Sequence, residues 1–121
     1  MNKLREVLGD MLEEISGHGV SYQDADDKAV YPYIVYKFTD MIKQGHVQVF
    51  NLDVDIWDNK QITTELESLT MKIWKALDET NYIDEDMSFS LYASNWLNDN
   101  DEDTRLKRRK LIFELRYVSR K

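Results

Sequence analysis

Cysteine is absent from this chain of 121 residues, which excludes disulfides, thiolate nucleophiles and cysteine-ligated zinc together. Histidine occurs only at His18 and His46, each beside a glycine and outside any spacing that would pair it with a second ligand, so both read as surface turn residues. With four glycines and one proline there is no glycine-rich phosphate loop, and no Gly-x-Ser-x-Gly elbow is present to anchor covalent catalysis. Long apolar runs are missing too: none approaches the ~20 residues needed to cross a bilayer, so no membrane association is expected. Glu6, Asp10, Glu13 and Glu14 interrupt the uncharged stretch that an export signal would require, and a reducing cytoplasm suits the composition. Basic charge is in the minority, 16 Lys and Arg against 23 Asp and Glu for a formal charge of −7. That balance argues against wrapping nucleic acid over the bulk surface, and sequence-specific nucleic acid binding is not expected.

What the chain does contain is enough apolar residue, 42%, for one domain spanning 1–121 with a single core. Leu4, Val7, Leu8, Met11, Leu12 and Ile15 recur at helical spacing and predict an amphipathic helix over 2–16, its stripe turned to the protein's own core and its end set by Gly17 and Gly19. Residues 20–29, with Asp24, Asp26 and Asp27, read as a loop. Residues 31–38 are aromatic and β-branched and predict a strand with Pro32 at its start or on a sheet edge. A turn at Gln44-Gly45 leads to a second strand, 47–57, with Phe50, Leu52, Val54 and Ile56 on one face and Asn51, Asp53 and Asp55 on the other. Val47 and Val49 have the opposite parity, which either a bulge near Phe50 or burial of that end of the strand on both faces would reconcile.

Asp58 or Asn59 is positioned to cap a second helix over 60–78, with Ile62, Leu66, Leu69, Ile73, Trp74 and Leu77 at intervals of three and four. Asn81 and the acids Asp84, Glu85 and Asp86 then lead into a third strand, 87–97. A polar turn, 98–104, precedes a fourth strand over 111–118. The expected fold is α+β in the order α-β-β-α-β-β: a mostly antiparallel sheet of about four strands with two packed helices.

The chemistry that could sit on this frame is sparse. Asp99-Asn100-Asp101-Glu102-Asp103 invites a calcium loop, but Thr104 stands where glycine is needed and Lys110 where a carboxylate is needed. Paired carboxylates are abundant, as any chain this acidic must have them, and no nucleophile–base constellation accompanies them. No catalytic, cofactor or metal residue is assigned.

The most polarised feature is the run Arg105, Lys107, Arg108, Arg109 and Lys110 directly after the acidic tip. It has three readings: a hairpin whose arms neutralise one another, a protein contact of the complementary kind a head-to-tail ring requires, or a local nucleic acid contact. Of the three tryptophans, Trp57 and Trp74 belong with core or rim packing; Trp96, near the acidic turn, is the candidate exposed anchor, although capping the core suits it as well. Candidate contacts with a subunit or partner are therefore Trp96, Asp99, Asp101, Glu102, Asp103, Arg105, Lys107, Arg108, Arg109 and Lys110.

The opening helix, the strand Tyr31-Pro32-Tyr33-Ile34-Val35-Tyr36, the stretch Leu52-Asp53-Val54-Asp55-Ile56-Trp57-Asp58 before a helix, and the closing Arg108-Arg109-Lys110-Leu111-Ile112-Phe113-Glu114-Leu115-Arg116-Tyr117 resemble the tail-terminator, or head–tail joining, proteins of long-tailed bacteriophages and prophages. The likeness is one of residue type and order across most of the chain. It implies a non-enzymatic virion assembly protein, made in the bacterial cytoplasm, that forms a ring of typically six copies on the tail tube, stops its growth and joins it to the head. The implied partners are further copies of the chain, the tail tube protein and a head-completion or connector protein, with no cofactor. A head-completion or neck adaptor is the alternative assembly role, and a small enzyme with an unrecognised carboxylate site is the alternative of a different class.

Overall fold

The computed structural model describes residues 2–24, 30–101 and 106–120. The elements follow as α1 (Asn2–Ser16), β1 (Val20–Tyr22), β2 (Tyr33–Gln44), β3 (Val47–Asp58), α2 (Thr64–Leu77), β4 (Thr80–Ile83), β5 (Met87–Asp101) and β6 (Leu106–Ser119). The strands form one sheet in the order β1-β2-β3-β6-β5-β4, antiparallel throughout except for β1, which runs parallel to β2. The α+β class and the two helices agree with the sequence reading, but the sheet has six strands and not four.

The two extra strands are short and lie at the margins. β1 falls within a segment read as loop, and β4 within the lead-in to the third strand. Three or four residues are too few to display a period of two, and both strands exist because a distant strand supplies the ladder: Val20–Tyr22 against Ile34–Tyr36, and Thr80–Ile83 against Ser88–Leu91. β5 and β6 also run further than expected, through residues read as a polar turn. Opposite charges placed across the strands make that extension tolerable, Asp99 standing opposite Arg108.

The core lies between the helices and one face of the sheet. Leu4, Leu8 and Leu12 of α1 and Leu66, Ile73 and Leu77 of α2 pack with Phe50, Leu52, Val54 and Ile56 of β3, Leu111, Phe113 and Leu115 of β6, and Met87, Phe89 and Leu91 of β5. The bulge expected in β3 is instead in β2. β3 pairs with β6 without a break from Gln48 to Asp58, while β2 shifts register between Thr39 and Ile42, opposite Phe50. Asp40 takes φ 55° there, a conformation that short polar side chains tolerate. Val47 and Val49 consequently stay on the outward face of β3 with the acids.

α2 begins later than expected and is not capped by Asp58 or Asn59. Its N-cap is Thr63, with no side-chain capping bond, and Glu65 and Glu67 in the first turn favour the positive end of the helix dipole instead. Asp58 accepts from the Asn59 backbone N–H at 2.8 Å. At the other end of the molecule, Asp84 organises the turn between β4 and β5. Burial works to raise its pKa, yet the N–H groups of Asp86 and Met87, the Tyr82 hydroxyl and Lys3 all donate to it or face it and hold the carboxyl well below the usual range. Lys3 also pairs with Asp86, tying the start of α1 to this turn.

One close approach fixes how α1 lies on the sheet. A Cβ on Gly9 would stand 2.7 Å from the Tyr36 hydroxyl, which donates to the Arg5 carbonyl at 2.6 Å. Gly9→Ala should therefore destabilise the fold by roughly 1–2 kcal/mol in denaturant unfolding through overpacking, despite the better helix propensity of alanine. Adding Tyr36→Phe should recover part of that loss. A Gly9→Ala protein more stable than the parent would contradict this packing.

Candidate interaction surface

Alternation along β3 divides the sheet into two chemically different faces. Phe50, Leu52, Val54 and Ile56 point into the core, while Asn51, Asp53, Asp55 and Trp57 occupy the face away from the helices. Asp53 and Asp55 are only 6% and 8% exposed, and carboxylates are rarely so buried without partners. Their partners come from both neighbouring strands: Lys37 of β2 stands opposite Asp53, and Lys110 of β6 opposite Asp55. The Lys110 ammonium lies 3.7 Å from Asp53 and 4.0 Å from Asp55.

The basic run thus has its destinations mostly within the subunit. Successive residues of a strand face opposite ways, and β6 distributes its charges accordingly. Arg108 lies on the outward face, its guanidinium 5.4 Å from the centre of the Trp57 ring and donating to Asp99 at 3.1 Å. Arg109 turns to the helix side, is 5% exposed, and donates to Glu67 of α2 at 2.5 Å and to the Arg108 carbonyl at 3.1 Å. Lys110 returns to the outward face over the two β3 acids. Lys107 pairs in register with Asp58 of β3 and Asn100 of β5.

Trp96 faces the helices, its ring centre 5.6 Å from that of Trp74, and its indole N–H donates to Asn98 at 2.8 Å. It caps the core rim. Asp99 is exposed beside Arg108. Asp101 ends β5, with its side chain outside the described structure; Glu102, Asp103 and Arg105 lie outside the described residues. Of the ten candidate contacts, then, the fold brings Asp99, Arg108 and Lys110 together on the outward face and directs Trp96 and Arg109 inward.

Lys37, Asp53, Asp55 and Glu67 were not singled out from the sequence, although the outward parity of the two aspartates was visible. Burial raises the pKa of Asp55, and the opposing pull of Lys110 and Arg108 does not fully offset it. Asp55 Oδ1, Asp58 Oδ2 and Arg108 Nε are buried without a hydrogen-bond partner, so the acids are held by charge attraction more than by saturated hydrogen bonding. Among the described residues, no group of three or more His, Asp or Glu is placed to hold a metal ion, and no helix is long and apolar enough to cross a membrane. A shallow groove of about 420 Å³ on the outward face, flanked by Val47, Ile83, Val118 and Arg116, contains no acid–base pair.

No protein-family model matches the chain, and no curated protein matches it. Among solved structures, 27 chains match. One belongs to a structure described as the virion of a native gene transfer agent particle; it superposes with a TM-score of 0.70 at 15% sequence identity, over 89% of this chain and 84% of that one. At that identity the likeness is one of fold.

The Asp55 carboxyl yields a signed pH dependence. Because folding raises its pKa, the folded state holds the proton more tightly than the unfolded state does. Its stabilising contribution is therefore present below the unfolded value, about 3.9, and is lost as pH rises through the folded value. Asp55→Asn should raise Tm at pH 7, with the gain shrinking as the pH is lowered toward 4. A lower Tm for Asp55→Asn at pH 7 would mean that attraction to Lys110 and Arg108 outweighs burial.

Proposed function

We propose that this chain is a virion assembly protein of a tailed phage or phage-like particle, which forms a ring on the tail tube, ends tube growth and joins the tail to the head. The observation that carries the reading is the fold likeness, extending over nearly the whole length of both chains, to a component of a gene transfer agent virion. The sequence resemblance to tail terminators points the same way. So does a surface arranged for contact, with its charges largely neutralised inside the subunit. Such a protein needs no catalytic residue. Its partners in this reading are further copies of itself, six to a ring, the tail tube protein and the connector of the head, and the acidic–basic end of the β5–β6 hairpin contributes to those contacts.

Within that hairpin the residues differ in what they can test. Reversing Arg109 would set two carboxylates together against α2 and report on folding, whereas Asp99 and Lys107 report on assembly. The direct test of the role is electron microscopy of particles from an inducible prophage lacking the gene. Filled heads beside unattached tails of irregular length are expected. Leaky, empty heads beside tails of normal length would move the protein to the head side of the junction, and normal joined particles would refute both roles.

A further inference from the structure

The two margins of the sheet are stepped, and the steps are complementary. β1 covers only the Ile34–Tyr36 part of β2, and from its bulge to Gln44 that edge has no second strand beside it among the described residues. β4 covers only the Ser88–Leu91 part of β5, and the Asp78 carboxylate accepts from the Ala93 N–H at 2.8 Å; from Ser94 to Asp101, β5 has no second strand beside it among the described residues. Tracing the pairings across the sheet gives the heights. Val20 stands level with Ile34, Ile56, Arg109 and Asn98, and Tyr22 with Tyr36, Val54, Leu111 and Trp96. β1 is therefore at the height of the open part of β5. At the other end, Ile83 pairs with Ser88 and Ser88 with Val118, which is level with the hairpin end of β2 and β3 where Gln44 pairs with Val47. β4 is thus at the height of the open part of β2, and the levels of β1 and β4 do not overlap.

We propose that these margins join two copies of the chain side by side, β4 of one copy lying along the open edge of β2 in the next, and β1 of that next copy lying along the open edge of β5 in the first. Strand directions make the β4–β2 junction parallel and the β1–β5 junction antiparallel. The surface chemistry favours a second copy as the occupant. Of the eight large hydrophobic side chains exposed among the described residues, five belong to these marginal strands: Met41 and Ile42 on β2, Ile83 on β4, and Tyr92 and Leu97 on β5. A recess of about 160 Å³ formed by Phe38, Thr39, Asp40, Met41 and Phe50 opens beside the β2 edge. Charge agrees as well, since exposed Lys43 lies on the β2 edge and exposed Glu85 follows β4 at the same height. Unpaired edges left open would otherwise invite indiscriminate association. The contact is heterologous, the kind that generates rings. It deepens the ring reading above and rests on it for its setting in a particle.

Because the chain has no cysteine of its own, the contact can be read from one engineered pair. Gln44 and Ile83 share the outward face and the same height, but lie on β2 and β4, four strand spacings apart within a copy. That is roughly 19 Å, far beyond disulfide reach, so any bond between them must join two copies. Purified protein carrying Gln44→Cys and Ile83→Cys, concentrated and mildly oxidised, should give a ladder of covalent oligomers, and Gln44→Cys with Met71→Cys on α2 should not. Adding Glu85→Lys should slow ladder formation severalfold, and Lys43→Glu on top should restore it. A ladder no stronger than that of the Met71 control would overturn the proposal. The purified protein reports on the contact alone: normal particles without the gene would sink the assembly role while leaving a positive ladder standing, and a failed ladder with defective particles would leave the role without this interface.

Discussion

The pairing of β3 with β6 is the constraint on which the other features depend. Its eleven uninterrupted pairs, Gln48 with Tyr117 through Asp58 with Lys107, fix which side chains of the two central strands enter the core. A slip of β3 by one residue would send Asp53 and Asp55 beneath the helices and expel Leu52, Val54 and Ile56, exchanging every side chain of that strand between faces. The same register sets Lys110 against Asp55 and places Arg109 where Glu67 of α2 can reach it. One ladder therefore specifies the apolar layer, the neutralisation of the acids and the seat of α2. It is reinforced by the cost of error, because a buried charge without its partner is far more expensive than a lost apolar contact.

This organisation explains what could be read in the sequence and what could not. α1 was legible because its apolar period is carried by fifteen contiguous residues, and the parity of β3 and β6 was legible from their alternation, as was that of β5 up to Ala93, where a register shift against β6 reverses it and turns Trp96 to the helices. The margins were not, since Val20–Tyr22 and Thr80–Ile83 contain no local pattern and are strands only through their partners. The bulge lies on β2 and not on β3: Val47 and Val49 keep the outward parity of β3, and β2 absorbs the shift at Asp40. The basic run was recognised as the most polarised feature of the chain, but its use depended on pairs distant in sequence. Arg109 and Glu67 are 42 residues apart, and nothing near either one announces the other.

The strand alternation also connects the electrostatics to function. A protein with a formal charge of −7 that pairs Arg108, Arg109 and Lys110 with its own acids offers a poor surface for holding DNA. Its apolar exposure is concentrated at the sheet margins, away from the central strands where Lys110, Arg108 and the β3 acids are matched. In the proposed role, the stepped edges join neighbouring copies while the far end of the β5–β6 hairpin stays available for further contacts. The elongated hairpin and the short marginal strands become features of one assembling unit.

The measurement that bears most directly on this account is a cryo-electron-microscopy reconstruction of the neck of intact particles that carry the gene. The account predicts a closed ring of this α+β fold between the tail tube and the head connector, with the sheet margins of adjacent copies in contact. Absence of the fold from the particle, or its presence only at a site remote from the head–tail junction, would contradict it.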